Sequence, residues 1–180
     1  SLVPWKCICS GCRNGGSIRK TDVKGKAASI MSAYNALNDV PCTLNPWLLQ
    51  KVLRQDWGFQ GYVVSDCGGP ALLVNAHKYV KTKEAAATLS IKAGLDLECG
   101  DDVYDGPLLN AYKQYMVSDA DIDSAAYHVL TARMKLGLFD SGERNPYTKI
   151  SPSVIGSKEH QQIAPVSYTH LRAHETCADL

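Results

Sequence analysis

The sequence has no excess of charge of either sign: 19 Lys and Arg stand against 18 Asp and Glu, a formal net charge of +1. That balance leaves no electrostatic footprint for nucleic acid or for an anionic membrane surface. No apolar run approaches the roughly 20 residues needed to span a bilayer, so no membrane helix is expected. The start lacks a basic segment followed by an apolar one, so no signal peptide is read there. It opens on Ser1 rather than Met, which points to a processed or incomplete chain. Neither G-x-G-x-x-G nor G-x-x-x-x-G-K occurs, which counts against a phosphate-binding module. His170 and His174 are spaced like metal ligands, but no Glu follows the first as in H-E-x-x-H.

Cysteine, by contrast, is plentiful. The seven comprise Cys7, Cys9 and Cys12 near the start, Cys42, Cys67 and Cys99 in the body, and Cys177 near the end. An odd number cannot all pair within the chain. The C-x-C-x-x-C cluster has no second ligand pair at finger spacing, so neither a metal nor a cofactor is expected.

Residues 1–24 show no periodicity and read as an atypical leader, with Gly11, Gly15 and Gly16 marking irregular structure. From Ala27 to Tyr34 a short apolar run with small residues suits a buried strand. Asn35 to Thr43 reads as a loop. Asn45-Pro46 forms a helix start, with Asn as cap and proline at the first helical position. The helix from Trp47 to Trp57 presents Leu48, Leu49, Val52 and Leu53 on one face, and Gly58 stops it. Gly61-Tyr62-Val63-Val64-Ser65-Asp66 is a strand of the kind covered on both faces. After a turn at Gly68-Gly69-Pro70, Leu72 to Val80 reads as a short helix or a loop. Thr82 caps a helix from Lys83 to Ala93 that Gly94 closes, and Leu95 to Glu98 reads as a third strand. Helices follow from Val103 to Met116 and from Ser118, where Asp121 supplies an Asp variant of the capping box. Gly137 ends the last helix, and Leu138 to Ser157 is a polar connector.

This β-α-β-α-β-α-α order implies an α/β fold with a parallel sheet. Three strands cannot close a barrel, and a complete eight-unit barrel needs about 250 residues. The chain is therefore either a piece of such a barrel or a small open α/β sheet. In both, functional groups gather at the carboxyl ends of strands. One end here carries Met31-Ser32-Ala33-Tyr34-Asn35 and the next carries Ser65-Asp66-Cys67-Gly68. A carboxylate after a buried strand, followed by glycines that let a ligand approach, suits a nucleophile. The alternative is that Asp66 only caps the turn. Asp96, Glu98, Asp101 and Asp102 at the third end read as a solvated charge cluster.

Four stretches decide between these readings by resemblance. Ile30 to Asn45 resembles the "SAYN", "NG-P", Asn pattern of glycoside hydrolase family 3. Trp57-Gly58-Phe59-Gln60-Gly61-Tyr62-Val63-Val64-Ser65-Asp66 is similar to that family's "WGF-GYVVSD" signature. Ala93-Gly94-Leu95-Asp96 matches its "AG-D" strand, and Arg133 to Phe139 its "R-K--LGLF" end. The resemblance implies that residues 25–164 are about the last three β-α units of a partial (β/α)8 TIM barrel of the β-glucosidase and β-xylosidase type. Residues 165–180 are an atypical tail that resembles a translated sequencing adapter, with Pro165 interrupting a helix begun at Ser157.

The resemblance further implies retaining hydrolysis of β-linked glucosides or xylosides. Asp66 would be the nucleophile, Tyr34 would hydrogen-bond its carboxylate, Met31 would line the apolar side of the sugar subsite, and Cys67 would form part of its wall. A disulfide or close thiol contact between Cys67 and Cys99 is expected. A β-linked oligosaccharide or aryl glycoside is the expected partner, and a secreted or periplasmic location follows from the family. The family's sugar-binding Arg and Lys-His residues and its acid/base carboxylate have no counterpart here. The chain is thus expected to need the missing barrel half and a C-terminal domain for turnover. The alternative is a non-catalytic carbohydrate-binding remnant of the same barrel.

Overall fold

The computed structural model describes residues 26–100 and 103–165. The leader, most of the tail, Cys7, Cys9, Cys12, Cys177, Asp101, Asp102, His170 and His174 lie outside the described residues. The chain divides into two compact units, Ser1–Ala132 and Arg133–Leu180.

In the first unit, strand β1 (Ser29–Ser32) lies parallel to a strand that arrives after one helix, labelled β4 (Tyr62–Ser65). The register pairs Ser29 with Tyr62, Ile30 with Val63, Met31 with Val64 and Ser32 with Ser65. Residues 95–98 come alongside the other edge of β4, as predicted, but only as a parallel bridge between Val64 and Leu97. Ser65 donates to the Leu97 carbonyl at 2.9 Å, and Leu97 donates back to Val63 at 3.1 Å. The segment is short because Leu95 still donates to Ser90, so its backbone leaves the preceding helix only at that point. No closed barrel forms among the described residues.

The two faces of this parallel pair differ, since side chains alternate along a strand. Ile30, Ser32, Val63 and Ser65 are buried, beneath the helices. Met31, Val64 and, by the same alternation, Asp66 belong to the opposite face and are half-buried. Gly61 sets how closely β4 enters against β1: a Cβ there would stand 2.3 Å from the Ala28 carbonyl oxygen.

The helix α1 (Trp47–Asp56) occupies the predicted span, but its hydrogen bonds are of the π type. Asn45 caps it as expected, its side-chain oxygen accepting from the Leu48 amide at 3.1 Å. Leu48, Leu49 and Leu53 enter the main core with Val63, Leu73 and Leu95. A feature missed in the sequence is a small hairpin, β2 (Ala36–Leu37) with β3 (Val40–Pro41), inside the segment expected to be a loop. Asn38 and Asp39 both take positive φ at its tip, at 50° and 63°, the two-residue turn that asparagine and aspartate tolerate best.

Helix α2 (Gly69–Asn75) begins at the glycine turn rather than at Leu72, with Pro70 in its first turn. Helix α3 (Lys83–Ala93) matches its prediction at both ends: Thr82 accepts from the Ala85 amide, and Gly94 leaves in the left-handed conformation. Helix α4 (Pro107–Lys113) is shorter than expected, and α5 (Asp119–Lys135) starts at the predicted capping box. There Asp121 accepts from both the amide and the hydroxyl of Ser118.

At the amino end of β4, Asp96 joins three elements. One carboxylate oxygen accepts from Arg54 of α1 at 2.5 Å and from the Val63 amide at 2.7 Å. The other meets His128 of α5 at 2.9 Å.

In the second unit, the polar connector contains two 3-10 turns, Pro146–Lys149 and Pro152–Val154. Asn145 is buried, donating to the carbonyls of Leu136 and Gly137 while its own oxygen accepts from Tyr147. Residues 158–165 are helical.

Candidate active site

The carboxyl ends of β1 and β4 lie side by side, so the segments that follow them meet. The Asp66 amide donates to the Ser32 carbonyl at 3.3 Å, extending the parallel pairing by one residue. The Asp66 carboxylate stands on the half-open face and accepts from the amide of Cys67 at 2.8 Å. Tyr34, two residues beyond β1, donates its phenolic proton to the Cys67 carbonyl at 2.7 Å. The phenol is held above its ordinary range by loss of surrounding solvent, then by hydrogen bonding with Asp66 and by that carboxylate's charge. The phenolic bond thus goes to the Cys67 carbonyl rather than to the Asp66 carboxylate expected from the sequence, and it braces the peptide after Asp66.

Met31 is half-buried beside Val64 on the face that carries Asp66. Cys67 is exposed and bonded to Cys99, with Cα atoms 4.4 Å apart. The disulfide couples the loop after β4 to the loop after residues 95–98, and the Gly68 amide reinforces it by donating to the Cys99 carbonyl at 2.7 Å. Ser65, fully buried, accepts from the Cys99 amide at 3.0 Å, and Ser32 shares a hydrogen bond with Thr43. The loop bearing Asp66 therefore rests on a polar layer of buried hydroxyls.

Asp96 and Glu98, expected in a solvated charge cluster, are instead buried and turn elsewhere. Asp96 points to the amino end of β4, about 10 Å of strand away from Asp66. Glu98 accepts from the amides of Val103 and Tyr104 and holds the following loop. Sequence reasoning missed Ser65 and His77; nothing in local pattern separates such serines and histidines from ordinary surface residues.

Residues 19–132, more than half the chain, match the family described as "Glycosyl hydrolase family 3 N terminal domain". The chain belongs to glycosyl hydrolase family 3. Among its relatives, the probable beta-D-xylosidase 7 of Arabidopsis thaliana is 37% identical over 147 residues, which is 81% of this chain and 19% of the relative. Beta-D-xylosidase 1 of the same plant is 38% identical, covering 78% of this chain and 18% of the relative. The family 3 exo-beta-xylosidase XlnD, solved with a xylobiose aziridine activity-based probe, superposes with a TM-score of 0.78 at 30% identity, over 91% of this chain and 21% of that one. The beta-glucosidase of Listeria innocua, solved with glucose, gives a TM-score of 0.68 at 29% identity, over 84% and 20%. The chain thus spans about a fifth of the length of the relatives it matches.

Within this family 3 segment the disulfide carries a measurable share of stability. Closing a loop with a sequence separation of 32 removes chain entropy from the unfolded state worth about 3–4 kcal/mol. Replacing Cys67 and Cys99 together by serine is expected to lower the thermal midpoint of the segment by about 10 °C. An unchanged midpoint would mean that the bond is dispensable.

Proposed function

We propose that this chain supplies the nucleophile of a retaining β-glycosidase acting on β-linked xylosides, and that Asp66 is that nucleophile. The observation that carries the reading is the Asp66 carboxylate at the carboxyl end of β4, on the half-open face, with Tyr34 and the disulfide bracing the peptide behind it. β1, β4 and residues 95–98 would be adjacent strands of a (β/α)8 barrel, the half-open face being its interior. The carboxylate attacks the anomeric carbon and displaces the aglycone, which leaves with a proton from a general acid. The resulting glycosyl ester is then hydrolysed by water with net retention.

Met31 would meet the apolar side of the sugar and Cys67 would form part of the subsite wall. Retention requires a second carboxyl group about 5 Å from the first. Among the described residues Asp96 and Glu98 are engaged on other groups, which supports an acid/base supplied by another part of the intact enzyme. The preference for xylosides over glucosides is supported by the xylosidases among the relatives and by the xylobiose-derived probe of the structural neighbour. The Cys67–Cys99 bond supports an oxidising compartment.

The test is covalent trapping. The intact enzyme containing this segment, treated with 2-fluoro xylosides and 2-fluoro glucosides, is expected to carry its label on Asp66. The xyloside is expected to react at least about tenfold faster, as one substituent fitting or failing to fit a pocket produces. A label on any other residue overturns the nucleophile assignment, and a faster glucoside reverses the substrate preference. The 180-residue chain alone is expected to turn over neither sugar.

A further inference from the structure

We propose that His77 is a positioning residue for this site, holding the Tyr34 main chain so that the Tyr34 phenol can brace the peptide that follows Asp66. The proposal rests on the reading of Asp66 as nucleophile. His77 lies just past the end of α2, the helix that begins immediately after the Asp66 loop. Its own backbone is fixed there: its amide donates to Leu72 at 2.8 Å, and Tyr79 and Val80 both donate to Leu73. From that anchored point the imidazole Nε2 meets the Tyr34 carbonyl oxygen at 2.8 Å, across 43 residues of sequence.

A carbonyl oxygen can only accept, so Nε2 carries the proton in this bond. Tyr34 needs such a tether. β1 ends at Ser32, and the Tyr34 side chain is 41% exposed, so packing alone does not fix it. The contacts form a closed circuit: Asp66 and Cys67 lead into α2, α2 leads to His77, His77 holds the Tyr34 carbonyl, and the Tyr34 phenol returns to the Cys67 carbonyl. Breaking either hydrogen bond opens the circuit and lets the peptide after the nucleophile move. A displacement of that kind lowers the rate of attack more than the binding of the sugar, because only the transition state requires close alignment.

Both the neutral Nε2–H tautomer and the imidazolium present the same donor, so the bond persists whether or not the ring is charged. This separates positioning from proton transfer. A glutamine at this place also offers an N–H at a similar reach, whereas methionine keeps bulk without a donor.

The experiment uses the intact enzyme and the rate of labelling by the preferred 2-fluoro glycoside. His77→Met is expected to slow the maximal labelling rate about 5–10-fold, the loss of roughly one hydrogen bond's alignment, with the half-saturating concentration within twofold of wild type. The factor should be the same across the pH range of activity, and His77→Gln should recover most of it. In a Tyr34→Phe background, His77→Met should add nothing, since the circuit is already open. A His77→Met rate equal to wild type, additive losses in the double variant, a changed pH profile or no recovery by glutamine would each overturn the proposal. Because the wild-type label is mapped in the same experiment, a label away from Asp66 refutes the nucleophile reading. A label on Asp66 with an unaffected His77→Met rate refutes the role of His77 alone.

Discussion

Replacing Asp66 by glycine in the intact enzyme is expected to lower turnover of an aryl β-xyloside by about 10⁵-fold, the scale on which losing a covalent nucleophile is felt. Among the described residues, the two nearest strand-end carboxylates, Asp96 and Glu98, are engaged elsewhere. Asp96 is tied to Arg54, Val63 and His128, and Glu98 to the amides of Val103 and Tyr104. The glycine variant also leaves a gap of carboxylate size on the half-open face. A small anion such as azide can enter that gap and attack the anomeric carbon from the side the carboxylate used. Only one inversion then occurs, so a β-xyloside should yield the α-xylosyl azide, which proton NMR distinguishes from its β anomer. Residual activity within 100-fold of wild type, or formation of the β-azide, would sink the assignment.

The second large effect concerns folding. Asp96→Ala is expected to destabilise the segment by about 3–5 kcal/mol, the cost of breaking a buried ion pair from one side. The Arg54 guanidinium would keep its charge in a largely buried position without its partner, and the Val63 amide would lose its acceptor. Asp96→Asn keeps an acceptor for that amide and should cost less. Urea unfolding of each variant gives the comparison, and a midpoint for Asp96→Ala equal to wild type would refute it.

The pH dependence has a definite sign. Burial raises Asp96 above the ordinary carboxylate range, against the opposing pull of Arg54, the Val63 amide and His128. Between the unfolded and the raised folded value, the folded chain keeps a proton that the unfolded chain has released. The contribution of this group is therefore complete below the unfolded value and is lost as pH climbs through the folded one. Asp96→Asn should remove that slope.

Much of this was legible in the residues themselves. Asn45, Thr82 and Ser118 with Asp121 announce helix starts because capping is local chemistry, and the structure uses all three. The strand ending at Asp66 was readable from its continuous β-branched run. The hairpin at Asn38-Asp39 was hidden because its strands are two residues long, too short for any period to register. The π-type bonding of α1 changes hydrogen-bond partners without changing the apolar face, so side-chain pattern is blind to it. The direct partner of Tyr34 is a main-chain carbonyl, and every residue has one. For the same reason His77 gave no signal: what selects it is the distance between two chain segments, which composition does not encode.

The sulfur bridge beside Asp66 also has a practical side. Protein made in a reducing bacterial cytosol, or purified with dithiothreitol, would carry two thiols where the structure has one cystine, and Cys67 is exposed to any reductant in the buffer. Kinetic constants gathered under such conditions would describe a loosened loop, and differences between preparations would follow their thiol content rather than their sequence. Counting free thiols before each assay is therefore part of any measurement on a protein that contains this segment.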